Sequence, residues 1–255
     1  MTLSQSELSS RADQLRRLHD GFLVLPNAWD AGSARALAAM GFDAIATTSS
    51  GVSDALGYAD RQVTPVDEMF AAVARIARAV DVPVSADLEG GYGLTAQELA
   101  ARVVDSGAVG LNIEDTDHSS GSKTLIVAES HAGYLGGIKE SARARGVDLF
   151  LNARVDVHLR QIGDPDSRLD EALRRGRLYL EAGADSVYPI FVNDDATLAP
   201  LIALGAPVNV LFRPDGPSLD HLETLGVRRV TFGGHIQEAA MKSIETYLRA
   251  AGALG

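Results

Sequence analysis

The sequence predicts a (β/α)₈ TIM barrel, a single domain over residues 1–255, and three observations carry that reading. Short apolar, β-branched runs alternate with Ala/Leu/Arg-rich segments of helical period, the pattern of βα units laid around a parallel sheet. Eight such runs are present, the number a closed barrel requires. The length of 255 residues is close to the roughly 250 typical of this architecture.

In chain order, residues before Phe22 read as one extra helix capping the bottom of the barrel. The first strand is expected at 22–25 and the second at 44–47, with a helix at 31–40 between them. Gly41 stops that helix, because a helix end commonly needs a left-handed residue. A helix at 65–80 leads to strand 82–86, and a helix at 96–106, closed by Gly107, leads to strand 109–113. Helix 128–144 precedes strand 150–152; helix 168–182, closed by Gly183, precedes strand 186–189. Helices 196–204 and 219–225 precede strands 208–211 and 229–232, and helix 237–250 completes the ring. No linker, low-complexity tract or heptad array interrupts the series.

Composition narrows the function classes. The chain is 46% hydrophobic and 22% charged, as expected of a globular protein with a sizeable core. Its formal charge of -11 removes the electrostatic basis for gripping nucleic acid phosphates or an anionic membrane surface. The absence of Cys excludes disulfides, thiolate metal sites and a thiol nucleophile or acid. The N-terminal stretch has no apolar core of signal-peptide type and no run is long enough to span a bilayer, so a cytoplasmic enzyme is the expectation.

Chemistry in such a barrel sits at the C-terminal ends of the strands, and those ends are acidic here. After the third strand comes Asp87-Leu88-Glu89-Gly90-Gly91-Tyr92-Gly93, and the fourth ends in Asn112-Ile113-Glu114-Asp115. Alternation along an extended chain puts Asp87 and Glu89 on one face, where Glu114 can join them from the neighbouring strand. Three converging carboxylates either hold a hard cation, Mg²⁺ or Mn²⁺, or serve as loop caps and salt-bridge partners for nearby Arg. Arg154, in Asn152-Ala153-Arg154-Val155-Asp156, is either a clamp for an anionic substrate or a bridge to Asp156 or Glu114. After the second strand, Thr47-Thr48-Ser49-Ser50-Gly51-Val52 is small enough to leave backbone N–H groups open to an anion.

Together these segments resemble the isocitrate lyase/phosphoenolpyruvate mutase superfamily, from Pro26-Asn27-Ala28-Trp29-Asp30 through Gly233. Asp87-x-Glu89-x-Gly91-Tyr92-Gly93 is similar to that family's Asp-x-Asp-x-Gly-Tyr-Gly, with Glu in the second acidic place. Asn112 to Asp115 and Asn152 to Asp156 are similar to its motifs on strands four and five. The resemblance implies a Mg²⁺-dependent enzyme acting on small α-keto or α-hydroxy carboxylates through an enolate-like species. It implies metal ligands Asp87, Glu89 and Glu114, directly or through water, and Ser50, Gly51 and Val52 on the substrate carboxylate. Arg154 would neutralise developing charge, Asp60 matches the family's acid in the loop after strand two, and Tyr188 is expected at the substrate. It also implies a homodimer or homotetramer in which the last barrel helix is swapped between subunits.

Departures from the family pattern shape the expected activity. The family's lyases carry a Lys-x-Cys-Gly-His loop, whereas the stretch from Thr116 to Leu125 holds neither Cys nor motif. Isocitrate and methylisocitrate cleavage by a thiol acid is therefore not expected. His118 is the loop's one residue with an ordinary pKa near neutral, and its Asp/Ser/Gly surroundings suggest a mobile, solvated segment. The phosphonate branch uses a Lys and an Asn in this loop and a His after strand six. Lys123 is the stretch's one Lys, and Tyr188-Pro189 stands at the later position. The expectation is carbon–carbon cleavage, by a lyase or an oxaloacetate-type decarboxylase. The alternatives are a carbon–phosphorus enzyme of phosphonopyruvate type and a keto-acid-binding protein with little turnover. Two further features have two readings each: Gly233-Gly234-His235 is a phosphate site or simple glycine packing, and Trp29, which with Asp30 follows the first strand, lines the pocket or packs against a neighbouring subunit.

Overall fold

The computed structural model describes residues 3–120 and 124–254. Among the described residues nine short strands form eight staves, all parallel: β1 (Leu23–Val24), β2 (Asn27–Ala28), β3 (Ile45–Thr47), β4 (Val84–Asp87), β5 (Gly110–Glu114), β6 (Phe150–Val155), β7 (Ser186–Pro189), β8 (Asn209–Leu211) and β9 (Arg229–Thr231). β1 and β2 are one stave broken at Pro26, which has no N–H to donate. Below the break Leu23 pairs with Arg229 of β9; above it Asn27 pairs with Ala46 of β3. A parallel bridge between Val187 and Val208 joins β7 to β8 and closes the barrel.

Helices alternate with the staves as expected. They are α1 (Gln5–Leu18), α2 (Ala31–Ala39), α3 (Ser49–Leu56), α4 (Val66–Arg78), α5 (Ala96–Ser106), α6 (Ala128–Ala144), α7 (Val157–Arg160), α8 (Arg168–Glu181), α9 (Asp195–Ile202), α10 (Leu219–Leu225) and α11 (His235–Ala250). The sequence reading missed two of them. The segment after β3, expected to be an open loop, is α3: Thr48 caps it by accepting the Gly51 N–H at 3.5 Å. Its Ser-Ser-Gly start has low helix propensity, so the cap and tertiary packing decide its form. α7 has only four residues, too few to show a helical period.

α1 does cap the barrel bottom. A capping box of Ser4 and Glu7 starts it, and Leu8, Ala12 and Leu15 are its buried face. His19 then stacks on Phe150 with ring centroids 3.9 Å apart. Beside it lies a charge cluster: Lys139, fully buried, places Nζ 2.7 Å from Asp148 and 2.8 Å from Asp185. Arg16 from α1 pairs with the same two carboxylates, and Asp185 also accepts the Leu151 N–H at 2.7 Å. The barrel interior above is partly polar, with Asn152 donating to Asn112 at 2.8 Å and Ser186 donating to Asn152 at 2.6 Å. Residues 241–250 of α11 are all exposed, and Met241, Ile244, Tyr247 and Leu248 recur at helical spacing along it. No helix among the described residues is long and apolar enough to cross a membrane.

Removing Asp185 leaves Lys139 short of a counter-ion in a buried site. Asp185→Ala should therefore lower unfolding free energy by about 3 kcal/mol, read from urea melts. Asp67→Ala, at an exposed bridge to Arg102, should stay within about 0.5 kcal/mol of wild type. Equal effects would show that the cluster adds no more than a surface pair.

Candidate active site

The C-terminal ends of the staves surround a cavity of about 300 Å³. Parallel register sets its central row: Glu114 on β5 is the partner of Arg154 on β6, which is the partner of Tyr188 on β7. Asp87 ends β4, one stave away, and its register partner is Asn112. Glu89, Ser50, Asp60 and His118 complete this side of the wall, and all of them line the one cavity.

Glu89 sits in a strained turn. Its φ is 51° and that of Tyr92 is 57°, left-handed values uncommon for side-chain-bearing residues. Between them Gly91, at φ 90°, is obligatory, since a Cβ there would meet the Tyr134 hydroxyl oxygen at 2.3 Å. The turn is locked to a second strained loop. Gln62 donates its N–H to Glu89 Oε2 at 2.7 Å and accepts the Tyr92 N–H at 2.5 Å, while the Tyr92 hydroxyl donates to Glu89 Oε1 at 2.6 Å. Burial pushes the Glu89 carboxyl up to about 7; the Tyr92 bond opposes this, and Asp60, Asp87 and Glu114 add to it.

Arg154 is both a wall residue and a bridge. Its Nη1 lies 2.6 Å from Glu114 Oε2, and its Nε donates to Asp156 Oδ1 at 2.7 Å. Of the two readings of Arg154, the bridge is realised with both partners, and the group still lines the cavity. Behind it, Asp115 accepts the Asp156 N–H at 2.8 Å, the Tyr179 hydroxyl at 2.7 Å and Arg175 Nη1 at 3.0 Å. Burial, reinforced by Asp156 and opposed by Arg175, raises Asp115 to about 6. Burial also raises Glu114, against the pull of Arg154. Tyr188 is pushed up to about 12 by burial, with Arg154 opposing.

Several expectations need correction. Of Ser50, Gly51 and Val52, only Ser50 lines the cavity. Helix α3 turns Val52 into the core and engages its N–H with Thr48 O at 2.9 Å, and Gly51 is buried with Thr48 on its N–H. Asp60 keeps its place on the cavity, where it is exposed. Asp87, Glu89 and Glu114 share the cavity, but among the described residues no three acids or histidines form a cluster that could hold a metal ion. Protein donors take up much of their capacity, Asp87 Oδ2 accepting the Ser49 N–H at 3.0 Å. Ser119 and Ser120 are exposed, but His118 itself is part-buried in a 3₁₀ turn, with Nε2 2.6 Å from Glu114 Oε1. Burial opposes its charge, but Glu114 raises its pKa overall. Lys123 lies outside the described residues. Asp30 caps α2 through Ser33, and Trp29 packs against the core; neither lines the cavity. His235 does, at the start of α11.

The sequence reading missed Arg160 and Phe191, both on the wall. Arg160 has a signal in hindsight, four residues after Asp156, and its Nε donates to Thr116 at 3.0 Å. Phe191 sits in a left-handed conformation, φ 65°, that no sequence period reports.

A closed parallel barrel with an acidic, arginine-bearing mouth has its polar groups at the C-terminal ends of the staves, where barrels of this class carry their active sites. The chain belongs to the phosphoenolpyruvate phosphomutase family, whose model matches residues 15–251, within the isocitrate lyase/phosphoenolpyruvate mutase superfamily. It is 39% identical over 218 residues to an uncharacterised Mycobacterium tuberculosis protein, covering 84% of this chain and 79% of that one. It is 31% identical over 207 residues to an oxaloacetate decarboxylase of Ectopseudomonas mendocina, covering 76% and 67%. Among solved structures, a Burkholderia cenocepacia J2315 protein provisionally assigned as a phosphonomutase superposes with TM-score 0.88 at 35% identity, over 94% of this chain and 99% of that one. A 2,3-dimethylmalate lyase superposes with TM-score 0.82 at 25% identity, over 95% and 87%.

Glu89 makes the site's charge state measurable. A carboxyl whose folded pKa is raised contributes stability below its unfolded value that is lost as pH rises through about 7. Glu89→Gln removes that loss. In chelator, the stability of the variant relative to wild type should therefore rise between pH 5 and pH 8, by about 2 kcal/mol. Urea melts at the two pH values read it, and a pH-independent difference would show that Glu89 titrates as an ordinary carboxyl.

Proposed function

We propose that this chain is a Mg²⁺-dependent carbon–carbon lyase, or oxaloacetate-type decarboxylase, acting on a small α-keto or α-hydroxy carboxylate through an enolate-like species; Mn²⁺ is the other suitable ion. The observation that carries this reading is the sharing of one cavity by Asp87, Glu89, Glu114 and Arg154. Similarity to proteins named oxaloacetate decarboxylase and 2,3-dimethylmalate lyase supports it.

The donor set suits a hard cation that keeps most of its water. The available groups are all oxygen donors, and among the described residues Asp87 Oδ1 accepts no hydrogen bond. Mg²⁺ takes one or two carboxylates directly and retains several waters. Asp87 would be its direct ligand, with Glu89 and Glu114 reached through water. Such a site needs no three converged carboxylates. When bound, the cation supplies Lewis-acid polarisation of the substrate's keto oxygen. Ser50, through its hydroxyl and N–H at the start of α3, binds the substrate carboxylate. Arg154 holds negative charge as it develops, and Glu114 and Asp156 keep its planar fork aimed so that no reorganisation is needed. The Tyr188 hydroxyl, neutral across the physiological range, can donate to a substrate oxygen. Asp60, at the rim, is placed to hold water over the bound substrate.

The test is a panel of keto acids, malate-type acids and phosphonopyruvate, assayed with Mg²⁺ and with chelator. Metal-dependent turnover of a keto or malate-type acid is expected, and Asp87→Ala should abolish Mg²⁺ binding in calorimetry. Turnover of phosphonopyruvate alone would make this a carbon–phosphorus enzyme; ligand binding with no turnover would make it a metabolite-binding protein. Arg154→Lys should lower the rate by about 10²-fold, because Lys lacks the bidentate fork. A rate within a few-fold of wild type would remove Arg154 from the mechanism. We also propose a homodimer or homotetramer, with the exposed apolar row on α11 covered by a neighbouring subunit. Light scattering at micromolar concentration should give twice or four times the chain mass; a monomer refutes it.

A further inference from the structure

Three cations of the interior are answered by carboxylates: Lys139 by Asp148 and Asp185, Arg154 by Glu114 and Asp156, Arg175 by Asp115 and Glu171. Arg229 is not. It is 0% exposed in β9, two residues before Thr231, which lines the cavity, so strand alternation sets its side chain inside the barrel one layer under the cavity floor. Its Nη2 reaches Asn112 Oδ1 at 3.1 Å and Ser85 Oγ at 3.4 Å, both neutral. Among the described residues it forms no ion pair, and its Nε and Nη1 meet no acceptor. Burial draws its pKa down to about 10, against the pull of Tyr188 and Asp87, so it stays charged at neutral pH. At the barrel bottom, burial together with Arg229 holds His19 uncharged, its pKa down to about 3. The groups that answer this charge, Tyr188 and Asp87, both line the cavity above it.

Arg229 also fixes what the floor offers. Asn112 Oδ1 accepts from Arg229 and, at 2.8 Å, from Asn152 Nδ2, which occupies both of its lone pairs. Asn112 lines the cavity, and its Nδ2 has no acceptor among the described residues. We infer that Arg229 is a positioning residue for the bound acid: its unpaired charge beneath the floor makes an otherwise acidic cavity receptive to an anion, and its hydrogen bond holds the Asn112 amide as a donor toward that anion. The inference rests on the small-carboxylate reading above and adds to it a residue that touches no ligand. A buried charge without a counter-ion costs folding free energy, so the fold gains nothing by keeping it. Its field, in contrast, is weakly screened in the interior and already in place when negative charge builds on the substrate.

The experiment compares the full-length wild type with Arg229→Met, which removes the charge, and Arg229→Gln, which removes the charge and keeps a hydrogen-bond donor. Calorimetry reads Mg²⁺ alone, then oxalate and oxamate at saturating Mg²⁺; these two ligands have nearly one shape and differ by one unit of charge. In both variants affinity should fall by about tenfold per unit of ligand charge, the size of a Coulomb interaction across one layer of side chains, so oxalate loses about tenfold more than oxamate. Mg²⁺ alone should bind more tightly than to wild type, a change opposite in sign to that of the anions, which a damaged site would not give. The melting temperature of Arg229→Met should not fall. Equal losses for oxalate and oxamate, or a Mg²⁺ affinity that falls with theirs, make Arg229 a structural residue and overturn this inference alone, as do anion affinities unchanged in both variants. Failure of wild type to bind either acid overturns the carboxylate reading and this inference with it. Arg229→Gln decides the matter where Arg229→Met does not fold.

Discussion

Burying like charges side by side is the demand around which this barrel is organised. Glu114, Asp115 and Asp156 are all within 3% of full burial at the ends of β5 and β6, and burying such carboxylates without partners is costly. Arg154 is placed between Glu114 and Asp156, and Arg175 reaches in from α8 to Asp115. The chain of partners runs from an outer helix, through two strands, to the cavity wall. It ties the orientation of Arg154 to the packing of α8, so the geometry of the mouth is set by the scaffold and not by the loops alone.

Much of this was legible in the sequence because it is local. Eight apolar runs gave eight staves, and the helices at 96–106, 128–144 and 219–225 match the observed bounds. The acidic residues after the third and fourth strands face a common cavity because strand alternation and parallel register leave them no other place. What escaped is what tertiary contact decides. Ser50-Gly51-Val52 has the composition of a loop, yet the Thr48 cap makes it the first turn of a helix, and one residue of the three reaches the cavity. His118 lies among residues typical of a solvated segment, yet Glu114, itself part of the wall, holds it in. A one-dimensional pattern could raise the choice between clamp and bridge for Arg154 but could not decide it, because both partners come into range only when β5 and β6 pair.

The broken first stave carries a consequence for how the molecule comes into being. β1 pairs with β9, some two hundred residues further along the chain, and the Phe232 N–H reaches back to Asn27 Oδ1 at 2.7 Å. His235 and Gly233 enter the cavity wall immediately beyond this seam. Such a join has the highest contact order in the fold, and closing it waits on β9, made long after β1. The pocket is therefore completed late: a nascent chain lacking β9 has made Asp87, Glu89 and Glu114 but not the far wall. Ligand capture thereby reports barrel completion, and slow amide exchange at Leu23 and Leu25 marks the moment the ring shuts.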